Sequence, residues 1–254
     1  MAPRISVITA VFNNRASISN AIDSVFEQTC SNIEHVVIDG GSTDGTLELL
    51  DRYRERLGVL VSEPDRGIYD ALNKGIRRSS GEVVGFLHSD DLFFDRESVS
   101  KIAAAFSDPA VAAVYGDLLY VKKDDTAGIV RHWVAGSYSL EKLRWGWMPP
   151  HPTLYVRRAV YERIGLFDTR YRIAADYDWM LRFFTREKPK CVYIPEPLVR
   201  MRLGGASNRS LPQIVRKSSE DYTALRRNGV GGAGTLFMKN LRKLPQFFGR
   251  PKSA

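Results

Sequence analysis

Three aspartates follow apolar runs of the sequence, at points where buried strands are expected to end. Asp39 closes the run 35–39, and Asp90 and Asp91 come shortly after the run 82–87. In open α/β sheets, ligands bind beyond the carboxyl ends of the strands. Adjacent carboxylates there suit Mg²⁺ or Mn²⁺, which takes one or two carboxylates together with phosphate oxygens. A simpler alternative stays open, because such a pair also starts loops and caps helices.

Asp39 opens a turn of glycines and small polar residues that spans 39–46. The glycines permit a tight turn, and the carboxylate could accept two donors from the edge of a nucleobase. The alternative is a plain turn followed by a helix whose N-cap is Thr43 or Asp44. The residues alone do not decide between the two.

Short β-branched strands alternate with amphipathic helices in the first ninety residues. The strands Ile5–Val11 and 35–39 flank a helix at 16–28, whose apolar residues have helical spacing. The alternation continues with a helix at 46–57, a strand at 59–61, a helix at 71–78 and a strand at 82–87. Near-continuous apolar strands that alternate with helices indicate a parallel sheet covered on both faces.

After Asp91 the predicted elements become shorter. They are a helix at 98–106, strands at 111–115, 118–121 and 129–134, a helix at 177–185, a strand at 191–194 and a helix at 211–226. A loop rich in Trp, Gly and Pro spans 145–152. The second part of the chain is therefore expected to depart from the regular alternation of the first.

The net charge of +8 comes almost entirely from the end of the chain. Residues 222–254 carry seven lysines and arginines and no acid, which leaves 30 basic and 29 acidic side chains elsewhere. A nucleic-acid-binding protein would need a basic body, so we expect no nucleic-acid partner. The sequence has no run of eighteen apolar residues and no signal-peptide pattern, so we expect a cytoplasmic protein.

Two common phosphate-binding patterns are missing. The first strand is followed by Phe12, Asn13 and Asn14 instead of GxGxxG, and no GxxxxGK[ST] occurs in the sequence. These absences disfavour dinucleotide-dependent dehydrogenases and P-loop enzymes. A sugar nucleotidyltransferase is also disfavoured, because it should carry a Gly-rich basic loop after the first strand.

Five motifs together resemble those of glycosyltransferase family 2, which comprises nucleotide-sugar transferases of GT-A fold. In chain order they are 7–14, 39–46, 63–75, 88–91 and 174–182. Each motif is weak alone, but five in the family's order and spacing are specific. The resemblance covers roughly residues 4–207. It implies an α/β fold of GT-A type, with a Rossmann-like, mostly parallel sheet flanked by helices.

The resemblance also implies a set of residues that bind a nucleotide diphosphate sugar. They are Thr9, Ala10, Asn13, Asp39, Asp65, Lys74, Asp90 and Asp91. Asp39 would contact the nucleobase and Asp65 the base or ribose. Lys74 would belong to the nucleotide site or to the residues that support it.

The segment 88–91 lies where the family carries its metal-binding DxD motif, but His88 replaces the first Asp. The resemblance therefore makes Asp90 the direct ligand of Mn²⁺ or Mg²⁺, and Asp91 a second ligand or a sugar contact. His88 is expected to be structural.

Asp176 matches the catalytic base of the family, although Ala175 replaces the Glu that usually precedes it. The helix predicted at 177–185 would turn an apolar face inward and fix the carboxylate at a wall of the site. The alternative is a helix cap, a role for which Asp178 competes.

His151 and Arg202 are second-rank candidates, because comparable loops in related transferases close over the diphosphate. Arg202 could equally be a solvated residue at a strand edge. The sequence lacks the QxxRW signature of processive members, which favours addition of a single sugar.

The resemblance thus implies an inverting, metal-dependent glycosyltransferase that acts on a hydroxyl of a glycan or lipid-linked acceptor. We expect a UDP-sugar as donor and a role in surface polysaccharide biosynthesis. The alternative is a non-catalytic protein of the same fold that binds a nucleotide sugar or a partner. Such a protein should have lost Asp90 or Asp176, and both are present.

We expect a GT-A domain of residues 1–227, with a nucleotide-binding half of about 1–95 and an acceptor half of about 96–227. Residues 228–254 form a basic amphipathic tail. Its segment 235–248 mixes Leu and Phe with Lys and Arg, which is typical of a helix that lies on an anionic membrane. A helix packed on the body with its charges in water is the alternative.

Overall fold

A computed structural model of the chain describes residues 2–204 and 211–242. Its first half is a parallel sheet built on strand β1 (Ile5–Val11), all of whose residues are buried. β1 pairs on one side with β2 (Ile33–Asp39), which pairs with β3 (Val59–Ser62), and on the other side with β4 (Val83–Phe86). All three pairs are parallel, as the alternation of strands and helices predicted.

Three helices connect these strands, namely α1 (Ile18–Phe26), α2 (Thr46–Asp51) and α3 (Ile68–Arg78). The apolar residues of α1 that have helical spacing are the buried ones. α3 lies close to β1, since a Cβ built on Gly75 would be 2.4 Å from the Cγ2 atom of Ile8. The absence of a side chain at Gly75 therefore allows α3 to pack closely against β1.

The second half adds antiparallel pairs to the sheet. Its elements up to residue 164 are β5 (Leu92–Phe93), α4 (Ser98–Ala105), β6 (Ala113–Val121), β7 (Ile129–Trp133), α5 (Leu140–Arg144), a 3₁₀ turn (His151–Thr153), β8 (Tyr155–Arg157) and α6 (Arg158–Ile164). A further strand, β9 (Cys191–Arg202), joins the same sheet. Among the described residues the sheet has nine strands in the order β3-β2-β1-β4-β8-β6-β9-β5, with β7 paired to β6.

Strand β6 is continuous, whereas the sequence predicted two strands at 111–115 and 118–121. Its pairing with β9 (Cys191–Arg202) shifts register on both sides of Asp117, so the predicted break is an irregularity inside one strand. β9 is also longer than the predicted 191–194. Pro197 interrupts its apolar pattern and sits at the register shift, where a strand tolerates proline.

Three more helices complete the described chain: α7 (Ala175–Arg186), α8 (Leu211–Arg227) and α9 (Ala233–Leu241). α7 is anchored by Trp179, whose ring stacks on Tyr161 at 4.4 Å and on Phe183 at 5.4 Å between centroids. These rings belong to a core that α3, α6 and α7 share with one face of the sheet. α1 and α4 cover the opposite face, so helices flank both faces of the sheet.

Helix α9 is the described part of the predicted tail, and it packs on the body. Leu236 contacts the main core. The packed alternative placed the charges of this helix in water, whereas the Lys239 side chain is buried. The rest of the predicted tail helix, from residue 243 onwards, lies outside the described residues. None of the helices described is both long and apolar enough to cross a membrane.

Candidate active site

A cleft of about 1580 Å³ opens at the carboxyl ends of β1 and β4. Its walls include the residues that follow these strands, the first turn of α3 and the first turn of α7. Most pockets for small ligands enclose about 300–1,000 Å³, so this cleft has room for more than one ligand. Its position at the strand ends is the one that the sequence predicted.

Seven of the residues that the sequence singled out line this one cleft: Ala10, Asn13, Asp65, Asp90, His151, Asp176 and Arg202. Four others, Thr9, Asp39, Lys74 and Asp91, are not among its lining residues. Thr9 is fully buried, and its hydroxyl lies 3.0 Å from the Nε2 atom of His35 on the neighbouring strand.

The end of β1 is tied to the turn after β2. Asn13 adopts a left-handed backbone conformation with φ of 47°, which asparagine tolerates better than most residues. Its N–H donates to the Ser42 hydroxyl at 2.8 Å, and its side-chain oxygen accepts from the Thr43 N–H at 2.9 Å. These two hydrogen bonds thus hold Asn13, which lines the cleft, against the turn after β2.

The Asp39 carboxylate is fully buried and belongs to the turn that follows it. It accepts hydrogen bonds from the N–H groups of Gly41 and Ser42 and from the hydroxyls of Ser42 and Ser62. Asp44 accepts from the N–H of Thr46 at 3.0 Å, inside the same turn. The N-cap of α2 is Gly45, so the prediction of Thr43 or Asp44 as the N-cap is wrong. These contacts are those of the turn that the sequence left open as the alternative, and contact of Asp39 with a nucleobase stays a prediction.

Asp65 lies at the cleft beside the turn. One carboxylate oxygen accepts from the Gly67 N–H at 2.7 Å, and the other lies only 2.4 Å from where a Cβ on Gly40 would stand. Any side chain at Gly40 would displace this carboxylate. Lys74 supports the same segment from outside the cleft, because its ammonium donates to the Pro64 carbonyl and to Glu63, each at 2.9 Å.

Asp90 faces the cleft, whereas its neighbour Asp91 is only 1% exposed. One oxygen of Asp91 accepts from the Arg202 N–H at 3.1 Å, and the other has no hydrogen-bond partner among the described residues. Burial, together with the charge of Asp90, raises the pKa of Asp91 well above its usual value. The Arg202 guanidinium donates to the Asp90 carbonyl at 2.7 Å, which connects the end of β9 to this loop.

The carboxylates of Asp90 and Asp91 fit the donor set of a hard divalent cation. Within residues 2–204 and 211–242, no group of three or more His, Cys, Asp and Glu side chains could hold a metal ion. Mn²⁺ or Mg²⁺ does not need such a group, because substrate phosphates complete its coordination. The unpartnered buried oxygen of Asp91 is the local feature that a cation would satisfy.

Asp176 lies in the first turn of α7 and lines the cleft. Its Oδ1 atom is 3.0 Å from the Tyr69 hydroxyl, on the first turn of α3. Asp178 does not line the cleft and is bound to Arg182 and Asn228, each at 3.0 Å. Ala175, at the position of the family's Glu, is fully buried.

Two histidines stand near Asp176 on the cleft wall. His151 is 7% exposed and stacks on Phe86 at 5.1 Å, and its ring centroid lies 6.1 Å from that of His88. Burial lowers the pKa of His151 to about 4, so the ring is neutral near pH 7. Burial also lowers the pKa of His88, which the charges of Asp90 and Asp176 partly oppose.

Three residues near the site were missed by the sequence analysis. Tyr69 lies inside the motif 63–75, so its position was available as a signal. Glu220 on α8 accepts from three consecutive N–H groups that precede α7, those of residues 172–174, at 2.8–3.2 Å. Lys239 reaches the cleft from α9. Neither Glu220 nor Lys239 belongs to a motif, so no local pattern could have identified them.

An α/β sheet with flanking helices, whose strand ends share a cleft with an aspartate at the start of a helix, fits the GT-A type of fold that the five motifs imply. The chain belongs to glycosyltransferase family 2, since residues 6–169 match the family described as "Glycosyl transferase family 2". It is therefore a glycosyltransferase, and the resemblance to this family is confirmed. Four of the five motifs lie within the matched residues, and the motif 174–182 lies beyond them.

Two relatives illustrate the similarity in sequence. A "PGL/p-HBAD biosynthesis glycosyltransferase" of Mycobacterium bovis is 31% identical over 188 residues, which cover 72% of this chain and 71% of the relative. An uncharacterized glycosyltransferase of Mycobacterium tuberculosis is 35% identical over 184 residues, which cover 71% of this chain and 69% of the relative.

Solved structures show the same fold at lower identity. The mannosyltransferase PcManGT from Pyrobaculum calidifontis, in complex with GDP-Man and Mn²⁺, has a TM-score of 0.66 at 21% identity, with 98% of this chain and 74% of that chain covered. S. aureus TarS 1–349 in complex with UDP-GlcNAc has a TM-score of 0.69 at 20% identity, with 89% and 66% covered. The match spans 39% of the longer TarS chain.

Proposed function

We propose that this glycosyltransferase moves a single sugar from a nucleotide diphosphate sugar to an acceptor hydroxyl, with inversion at the anomeric carbon. The observation that carries the proposal is the placement of Asp90 and Asp176 on the walls of one cleft. One carboxylate comes from the strand-end loop and the other from the start of α7. A donor diphosphate near Asp90 would have its sugar directed toward Asp176.

In the proposed reaction, Asp176 takes the proton of the acceptor hydroxyl while that oxygen attacks the anomeric carbon. The bond from this carbon to the diphosphate oxygen breaks, and the diphosphate leaves with the electron pair. Mn²⁺ or Mg²⁺ held by Asp90, with Asp91 as second ligand, would neutralise charge on the diphosphate. A single displacement inverts the configuration.

The donor is proposed to be a UDP-sugar. TarS has been solved with UDP-GlcNAc and PcManGT with GDP-Man and Mn²⁺, which supports a nucleotide diphosphate sugar and a divalent metal for this chain as well. Ala10, Asn13 and Asp65 line the cleft from the first half of the chain, about 1–95, and would contact the nucleotide. Asp39 is proposed to contact the nucleobase, and Thr9 and Lys74 would support this half of the site from outside the cleft lining.

The acceptor is proposed to bind between the second half, about 96–227, and the tail. It would be a glycan or a lipid-linked sugar in surface polysaccharide assembly. His151 and Arg202 are proposed to contact the donor diphosphate.

The tail, residues 228–254, is proposed to hold the enzyme on the anionic cytoplasmic face of a membrane. Phe237 and Leu241 lie one helical turn apart on α9 and are 65% and 43% exposed. Residues 222–254 contain seven lysines and arginines and no acid, so this part of the chain carries a positive charge that complements anionic lipid.

A release assay for nucleoside diphosphate tests the proposed reaction. The full chain would be incubated with a panel of nucleotide sugars, with Mn²⁺ or Mg²⁺, and with no metal. We expect release from a UDP-sugar only when metal is present, and none from the Asp176→Asn variant. Release without metal, or full release by the variant, would contradict the proposal.

A further inference from the structure

Tyr69 connects the first turn of α3 to the first turn of α7. Its side chain is 9% exposed, and its ring packs on Phe167 with centroids 5.7 Å apart. The hydroxyl lies 2.6 Å from the Ile173 carbonyl oxygen and 3.0 Å from the Oδ1 atom of Asp176. Tyr69 thus touches both the carboxylate and the backbone that leads to it.

A tyrosine hydroxyl has one proton and can accept in return, so Tyr69 can donate to only one of these two oxygens at a time. When Asp176 is ionised, donation to the carboxylate is favoured, since hydrogen bonds to charged groups are about twice as strong as neutral ones. When Asp176 is protonated, its own O–H can donate to the tyrosine oxygen, while the tyrosine proton turns to Ile173. The Asp176 carboxyl therefore keeps a hydrogen bond to Tyr69 in both protonation states, and the Ile173 carbonyl receives the tyrosine proton only when Asp176 is protonated.

We propose that Tyr69 is a positioning residue for Asp176, whose hydroxyl aims the carboxylate at the acceptor and exchanges hydrogen-bond partners when the carboxylate takes up the proton. This inference rests on the proposed role of Asp176 as the base. It assigns no contact between Tyr69 and substrate.

The second acceptor of Tyr69 is held in place from the opposite side. The Ile173 N–H donates to Glu220 on α8 at 2.8 Å, and the Ala174 N–H donates to the same carboxylate at 3.0 Å. The Ile173 backbone therefore donates its N–H to α8 and can accept the Tyr69 proton from α3 at its carbonyl. Because α8 holds this backbone through two N–H groups, the Tyr69 hydroxyl can change partners without movement of the chain.

Other charged and titratable groups also surround Asp176. His88 and His151 stand on the cleft wall, Lys239 approaches from α9, and Glu220 lies behind Tyr69 on α8. These groups exert the same electrostatic effect on Asp176 whether residue 69 is Tyr or Phe. A difference in the pH dependence of kcat between the unmodified enzyme and Tyr69→Phe therefore reports the effect of the hydroxyl.

The Tyr69→Phe variant tests the proposal, because it removes the hydroxyl and keeps the ring that packs on Phe167. We expect kcat for nucleoside diphosphate release to fall about tenfold or more, with the donor KM within about twofold, since only the alignment of the base is lost. The acid limb of the kcat profile should move to higher pH, because the charged form of the base loses a hydrogen bond in this variant.

Tyr155→Phe is the matched control. The Tyr155 side chain is fully buried, its hydroxyl has no hydrogen-bond partner among the described residues, and it does not line the cleft. This variant should keep the kcat and the pH profile of the unmodified enzyme. Replacing Tyr69 with 3-fluorotyrosine, a stronger donor of similar size, should move the acid limb the opposite way, to lower pH.

Asp176→Asn separates failure of this inference from failure of the proposed function. If Asp176→Asn stays active, the base is wrongly assigned and the role of Tyr69 falls with it. If Asp176→Asn is inactive but Tyr69→Phe keeps kcat and an unshifted acid limb, only the role of Tyr69 is wrong. A rise in donor KM equal to the fall in kcat/KM would also overturn it, because it would indicate a binding role. If Tyr69 acts through Asp176, the double variant should be no less active than Asp176→Asn alone.

Discussion

The ammonium of Lys239 lies 2.7 Å from the Asp221 carboxylate, and both side chains are only 4% exposed. The same ammonium stands 3.4 Å from the centroid of the Tyr177 ring, next to Asp176 in sequence. Burial lowers the pKa of Lys239, although Asp221 opposes the shift. A Cβ on Gly146 would be 2.5 Å from the Lys239 backbone nitrogen, so α9 is pressed against the loop before the 3₁₀ turn. Through Lys239, α9 thus contributes one side chain to the lining of the cleft.

Removal of one member of this pair should destabilise the protein strongly. Asp221→Asn leaves a buried ammonium without its counter-ion, and we expect the free energy of unfolding to fall by about 3 kcal/mol or more. The double variant Asp221→Leu, Lys239→Met should lose less than Asp221→Asn does, because no uncompensated charge stays buried. Urea unfolding of the three proteins measures this order. If the double variant were less stable than Asp221→Asn, the unpaired buried charge would not be the main cause of the destabilisation.

Asp176→Asn should lower the rate of transfer by about a hundredfold or more, because the amide cannot accept the acceptor proton. Nucleotide affinity, measured by calorimetry, should be unchanged. Asp178→Asn is the control, since this carboxylate binds Arg182 and Asn228 outside the cleft. It should reduce stability and retain kcat. The reverse result would assign the base to Asp178.

Asp90→Ala should weaken nucleotide binding only when metal is present. Titration of nucleoside diphosphate with and without Mn²⁺ should show a large effect of the metal on affinity in the unmodified protein and a small one in the variant. Asp124→Ala removes an exposed carboxylate from the same cleft and should leave the effect of the metal intact. Equal losses in both variants would point to a general charge effect.

Phe237→Glu should reduce binding of the full chain to anionic vesicles. Flotation with phosphatidylglycerol vesicles should recover the unmodified protein, and high salt should weaken this recovery because it screens the basic tail. Val130→Glu is the control, since Val130 is an exposed apolar residue on β7. Recovery of both variants at the level of the unmodified protein would exclude α9 as a membrane contact.

His35 should make stability depend on pH. Burial lowers its pKa to about 3, whereas an unfolded histidine titrates near 6.5, so the folded protein binds fewer protons between these values. Stability is therefore complete above about pH 6.5 and falls as the pH decreases. From pH 7 to pH 5 the loss attributable to His35 should be about 2 kcal/mol. Urea unfolding of His35→Gln should show a loss of stability from pH 7 to pH 5 that is smaller by this amount. If the stability of the variant and of the unmodified protein depends on pH in the same way, His35 is not the group responsible.

The sequence by itself determined the order of the elements in the first half and the edge at which the site lies. Apolar runs and helical spacing depend on neighbouring residues, so β1, β2 and α1 could be predicted within a few residues. Motif order placed Asp90 and Asp176 in one site, and both line the same cleft. Local pattern could not show that Asp117 sits at a register shift inside one strand, because register depends on the partner strand.

Only the tertiary structure decided which side chains act together. Tyr69 and Asp176 are 107 residues apart in the sequence, and their contact exists because α3 and α7 begin at the same edge of the sheet. The sequence places Lys239 in a basic tail whose charges would lie in water, whereas in the structure its ammonium is buried against Asp221. The physical reason is that periodicity states which face of a helix is apolar, whereas the partner of a polar side chain is set by the packing of distant elements.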